Sequence, residues 1–141
     1  MAFHFPLESV LRLRRSQQRQ HELVLQKKNN AVNRLQISLA EIEAEATRIS
    51  APPFQGRSAA EVQFDEERLR TLALRGAEII QRLRQAVVER DQAASEFHRA
   101  WQRRETLETL HQRGREAYIA GESRREQRNL DDWFLERKAR T

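Results

Sequence analysis

From about Ser58 to at least Leu110 the apolar residues of this chain keep a single spacing. Leu69, Ala73, Gly76, Ile80, Leu83, Val87, Arg90, Ala94, Phe97 and Trp101 follow alternating steps of four and three. That 3.5-residue repeat marks the seam of a coiled coil rather than the wider face of a globular helix. No proline follows Pro53, so no ring geometry forces a break in the helix. A helix over this stretch would be roughly 80 Å long, too long for a compact domain of this mass. With 38% hydrophobic and 33% charged residues in 141, a thick core is out of reach but a narrow seam is not. The expected fold is all-α: one domain, 1–141, formed by a long antiparallel two-helix coiled-coil hairpin. It is a rod whose second helix overhangs the first.

The rest of the chain fits that plan. Pro6 suits the first turn of a helix, where its missing N–H costs nothing. From there Leu7, Leu11, Leu25, Val32, Leu35, Leu39, Ile42 and Ile49 share one seam. Arg14, Gln18, His21 and Lys28 share it too and weaken its start. Pro52 and Pro53 end this helix, since each disfavours helix before it and neither donates a backbone hydrogen bond. Gly56 supplies turn flexibility, and Ser58 with Glu61 makes a capping box. The predicted elements are helix 1 over about 6–50, a loop over 51–57, helix 2 over 58–120 and a helical tail over 122–138. Gly121 would end helix 2, and Ser123 with Glu126 would cap the tail.

A short loop folds two helices back antiparallel. With the loop centred near residue 54, facing residue numbers add to about 108, and each layer joins an a to a d position. Leu7 then faces Trp101, Leu11 faces Phe97, Gln18 faces Arg90 and Val32 faces Gly76. Helix 1 runs out near Trp101, where the seam changes phase to Leu107, Leu110, Gly114, Ala117 and Gly121. Tyr118, Ile119, Leu130, Trp133, Phe134 and Leu135 are left without an intramolecular partner. Side chains of that size are costly in water, which favours a partner-binding end over a frayed tail.

Several chemistries find no support. The chain has no cysteine, so disulfides, thiolate metal sites and thiol nucleophiles are excluded. His4, His21, His98 and His111 show no metal-ligand spacing. Gly56-Arg57-Ser58 lacks the second glycine and the lysine of a phosphate loop, and no Ser–His motif carries a third group. The expectation is a protein that is not an enzyme, with no metal and no cofactor. The amino terminus lacks the apolar core of a secretion signal, and no apolar run approaches the length of a bilayer. A net charge of +5 and a pI near 10.6 invite anionic partners. However, the 26 basic and 21 acidic residues are interleaved, as on a solvated coiled coil, so no nucleic acid is expected.

The two ends carry a resemblance. Phe3-His4-Phe5-Pro6-Leu7-Glu8-Ser9-Val10-Leu11-Arg12-Leu13-Arg14 resembles the opening of the FliJ family of flagellar type III export. Ala100-Trp101-Gln102-Arg103-Arg104-Glu105-Thr106-Leu107-Glu108, then Tyr118, then the stretch from Glu122 to Asp132 look like that family's later landmarks. Together with the length and the two-helix plan, they cover nearly the whole chain. The segment from Ala44 to Val62 matches nothing diagnostic.

The resemblance implies a non-catalytic stalk. FliJ-like proteins resemble the coiled coil of the rotary-ATPase gamma subunit. They insert into the hexameric ring of the export ATPase, promote its assembly, contact the export gate protein FlhA and handle export chaperones. Such a protein would be cytoplasmic, peripheral to the inner face of the membrane at the flagellar base, and bound there only through partners. The paired ends of the hairpin would enter the ring, where the basic start of helix 1 (Arg12, Arg14, Arg15, Arg19, Lys27, Lys28) and the exposed aromatics suit a channel. Expected ring-facing residues are Leu7, Val10, Leu13, Arg14, Tyr118, Ile119, Trp133 and Phe134. Expected gate contacts are Ile42, Ile49, Leu72 and Ile79, of which Leu72 and Ile79 lie off the seam and are the better candidates. Competing readings are a basic coiled coil that binds nucleic acid or ribosomes, an injectisome-type stalk, and a self-associating structural coiled coil.

Overall fold

The structure is a computed structural model and describes residues 2–51 and 56–140. Two helices, α1 (Glu8–Ser50) and α2 (Ala59–Arg140), pack against each other as an all-α hairpin, with no strand among the described residues. The Leu7 carbonyl takes the first helical bond, from the Leu11 N–H at 2.8 Å. Leu7 is therefore the N-cap, and Pro6 sits in the turn before α1 rather than within its first turn. The expected roles of Pro52 and Pro53 fall outside the described residues. Gly56 has φ +87°, a left-handed conformation that suits glycine. Ser58 Oγ accepts the Glu61 N–H at 3.2 Å, the N-cap half of the predicted capping box. The expected break at Gly121 does not occur: α2 continues through it for 82 residues in all. Local pairs such as Gln112–Glu116 and Gln127–Asp131 support helix on both sides.

The chain divides into two compact units, residues 1–19 with 99–141, and Gln20–His98. Within Gln20–His98 the inward positions of α2 are Leu69, Leu72, Gly76, Ile79, Leu83, Ala86, Arg90, Ala93 and Phe97. This corrects the phase expected from sequence. Leu69, Gly76, Leu83, Arg90 and Phe97 lie on the seam as read, but the positions between them are Leu72, Ile79, Ala86 and Ala93, each one residue earlier. Leu72 is 7% exposed and Ile80 is 39% exposed. Leu72 and Ile79 therefore lie on the seam and not off it.

The register is corrected too. A Cβ on Gly76 would stand 3.8 Å from Ile42 Cγ2, so Gly76 faces Ile42 rather than Val32. Lys28 pairs with Glu89 at 3.1 Å, and His21 Nδ1 lies 3.8 Å from Glu96. Near the turn Arg57 pairs with Asp65, both beside Glu45, Arg48 and Ile49 of α1, and Arg68 bridges to Glu45 at 2.7 Å.

Candidate functional site

The unit formed by residues 1–19 and 99–141 holds most of the residues expected to act. Its inward α2 positions are Ala100, Arg104, Leu107, His111, Gly114, Tyr118 and Gly121, again in steps of four and three. No phase change occurs near Trp101. Leu107, Gly114 and Gly121 are seam residues, whereas Leu110 and Ala117 face outward. Leu11 is fully buried. Arg104 donates to Gln18, where Arg90 had been expected, and Arg90 instead bonds its neighbour Asp91. Arg15 Nε donates to Glu108 Oε1 at 2.7 Å. That bond holds the Glu108 carboxyl below its ordinary range, against the opposing effect of burial and with help from the charges of Arg15, Arg104 and His111.

The amino terminus makes a clasp that sequence reading missed. Phe5 is buried and meets His111 edge-on, with ring centres 5.0 Å apart. Phe3 meets His111 at 5.5 Å and Tyr118 at 5.7 Å. His111 Nε2 lies 3.8 Å from Glu8. Gly114 makes room for this contact, because a Cβ there would come within 3.3 Å of the Phe3 ring. Tyr118 is thus partly covered, not partnerless, and Leu7 faces solvent instead of Trp101. The signal was available: His111, Gly114 and Tyr118 continue the spacing of the seam, and two phenylalanines, Phe3 and Phe5, stand just ahead of Pro6.

The other expected ring residues are open. Leu7 at the N-cap and Val10 and Leu13 on α1 are exposed, with Leu13 on the side opposite Leu11. Arg14 is half-buried and donates to Gln17 at 3.1 Å. Ile119 is exposed, as are Leu130, Trp133 (50%), Phe134 (60%) and Leu135. Trp133 and Phe134 stack edge-on at 5.2 Å, and the Arg137 guanidinium lies 5.0 Å over the Trp133 ring. Leu130, Trp133, Phe134 and Arg137 occupy one face of the helix, by their steps of three and four. The seam phase beyond Gly121 passes instead through Arg125, Arg128 and Asp132, which are exposed. The apolar face of the tail is therefore separate from the seam and is not a frayed end of it.

Charge follows the same division. Residues 1–19 and 99–141 hold 15 Lys and Arg against 9 Asp and Glu, while Gln20–His98 hold 11 against 12. The excess of positive charge belongs to the unit that carries Leu130, Trp133 and Phe134. Among the described residues no group of three or more His, Asp or Glu is placed to hold a metal. Among the described residues no helix is long and apolar enough to cross a membrane.

A profile of the FliJ family, described as Flagellar FliJ protein, matches residues 3–140. The chain belongs to the FliJ family. No curated protein and no solved structure matches it. Membership makes this a flagellar export-related protein, and the helical hairpin agrees with the coiled-coil character read from the spacing. Of the four expected gate residues, Ile42, Ile49 and Ile79 are half-buried edges of the seam. Leu72 is buried and lines the floor of an apolar groove with Ile42, Leu69 and Ile80.

Proposed function

We propose that this FliJ-family chain is a non-catalytic stalk of the flagellar type III export apparatus. It binds the hexameric export ATPase through the unit that carries both termini and favours the assembled, active ring by preferential affinity for that state. It connects the ring to the export gate protein FlhA and to export chaperones, and it sits at the cytoplasmic face of the membrane through those partners. The observation that carries this reading is the uncovered Leu130–Trp133–Phe134 face on a helix whose own seam has ended, in the unit that holds the excess basic charge. Leu7, Val10, Leu13 and Ile119 add exposed apolar surface, while Arg14 and Tyr118 contribute their accessible edges. In the other unit, Ile42, Ile49 and Ile79 would meet the gate from the margins of the seam. Leu72 would support them from within.

The test is ATP hydrolysis by the cognate export ATPase, titrated with the full chain and with a chain ending at Glu122. That end point keeps the Phe3–Tyr118 clasp and removes only the tail face. Stimulation by the full chain that is lost on truncation supports ring binding through the tail. Equal stimulation by both moves the contact to Leu7, Val10 and Leu13. No stimulation of an assembly-competent ATPase refutes the stalk reading. Binding of duplex or single-stranded nucleic acid that weakens steeply with salt would then favour the basic coiled-coil alternative.

A further inference from the structure

In the unit formed by residues 1–19 and 99–141, charge is sorted by side. The column of α2 one residue ahead of the seam holds Arg99, Arg103, Arg113 and Arg124, with only uncharged residues between them. The column one residue behind the seam holds Glu105, Glu108, Glu122 and Glu126, with Arg115 as its one base. The two sides of α1 differ as well: Arg12 and Arg19 follow Leu11 and Gln18 by one residue, and Val10 and Gln17 precede them by one. The Arg15–Glu108 pair at 2.7 Å shows how the sides meet. The bases of α1 lie on the side that carries the acids of α2, and the opposite side is left with arginines and no acid. All four of those arginines are exposed. None has an acid partner among the described residues, and Arg124 reaches only the Ala120 carbonyl of its own helix. Val10 and Leu110 are exposed on the same side. They stand at one level, because Glu8 meets His111 and Arg15 meets Glu108.

We propose that this acid-free side binds an anionic lipid surface directly. Its chemistry calls for an anion, since nothing within the hairpin offsets the four guanidinium groups. Arginine holds phosphate oxygens through paired N–H bonds, and its long stem lets the charge reach headgroups while the helix lies along the interface. Leu110, between Arg103 and Arg113, and Val10 beside it would enter the acyl boundary. A nucleic acid held by charge alone would make no use of them. The spacing of the arginines favours a lipid over an acidic protein. They fall four, ten and eleven residues apart, or about 6, 15 and 16.5 Å along the helix. Fixed carboxylates would have to copy that uneven spacing, whereas mobile headgroups gather beneath each arginine where it stands. The acids of α2 face away, which turns one side of the hairpin to the surface. The Leu130–Trp133–Phe134 face lies on the other side of α2. The lipid contact is therefore separate from ring binding by the tail, and it adds a direct attachment to the one made through partners.

Flotation of the full chain with phosphatidylcholine vesicles, with and without about 30 mol% phosphatidylglycerol and at about 0.1 M salt, tests it. The chain should float with the anionic vesicles, stay behind with the neutral ones, and come off the anionic ones as salt rises. Each arginine near such a surface contributes about fivefold in partitioning, so Arg103→Gln with Arg113→Gln should weaken binding roughly 25-fold. Arg99→Gln with Arg124→Gln should do the same, which keeps the test open if the first pair fails to fold. Arg82→Gln with Arg84→Gln removes as much charge from Gln20–His98 and should leave binding within about twofold, since those residues lie outside the side described. Failure to float with the anionic vesicles gives the side to an acidic protein or a nucleic acid and overturns the proposal. Equal flotation with neutral vesicles overturns it too, as does an equal loss in the Arg82 and Arg84 pair, which would trace binding to net charge alone.

Discussion

Leu72 and Leu74 are two residues apart on one helix, yet the seam phase assigns them opposite fates. Leu72 is 7% exposed and Leu74 is 70% exposed. Burying a leucine contributes about 1.5–3 kcal/mol, and truncating one in a core costs about 2–5 kcal/mol. Leu72→Ala should fall at the low end of that range, about 2–2.5 kcal/mol, because the groove that Leu72 lines with Ile42, Leu69 and Ile80 is open and lets the surroundings relax into the gap. Leu74→Ala should change stability by no more than about 0.5 kcal/mol, as for other surface positions. For a chain of this size the first change lowers the melting temperature by roughly 8 °C and the second by about 2 °C or less. Thermal melts followed by circular dichroism at matched concentration would measure both, with Ile80→Ala as a third variant. If Ile80→Ala proves as costly as Leu72→Ala, or if Leu72 and Leu74 behave alike, the inward column is not the one described and the groove loses its outer wall.

Gly121 has nothing within 4 Å of a Cβ, and Gly76 has only an ordinary contact with Ile42 at 3.8 Å. Each Gly→Ala change should therefore raise helix stability by up to about 1 kcal/mol; a Gly76→Ala variant that melts lower would refute the Ile42 register. Phe3→Ala should release the clasp, seen as a shift in the NMR signals of the chain's single tyrosine, Tyr118, and faster amide exchange near Gly114; unchanged signals would place Phe3 elsewhere. The Glu108 carboxyl is held down chiefly by its hydrogen bond from Arg15, so the folded state binds its proton less readily than the unfolded chain. The stability from this contact is present above the ordinary carboxylate value of 4.5 and is lost as pH falls through the lower folded value. Glu108→Gln should flatten the acid limb of a melting-temperature profile, modestly, because the pair is partly solvated; an unchanged profile would argue against the Arg15 bond.

The hairpin itself was legible because chain reversal and helix both leave local marks. Gly56 permits the left-handed turn, Ser58 caps the next helix, and a seven-residue repeat survives over most of α2. The register was not legible, since it depends on how the reversal is completed. The spacing of apolar residues along each helix does not say which layer of one helix meets which layer of the other. Polar layers were expected to meet one another, and they do. Lys28 meets Glu89 and Gln18 meets Arg104, partners nine and fourteen residues beyond the expected ones. Long flexible side chains can satisfy one another over several registers. Only close pairs such as Ile42 on Gly76 discriminate between them.

The error in phase has a more specific origin. Ala73, Ile80, Val87 and Ala94 repeat every seven residues as regularly as Leu72, Ile79, Ala86 and Ala93 do, so a search for one apolar column per helix can settle on either. Both columns are apolar because α2 presents a broad face, and α1 covers only part of it. The apparent slip near Trp101 arose in the same way: the outer column ends there, while the inner one passes through Ala100 and Leu107 to Gly114 beneath the Phe3 ring. A two-helix hairpin needs only the inner column for its own stability. The outer one, like the Leu130–Trp133–Phe134 face of the tail, is apolar surface beyond what the hairpin needs for itself.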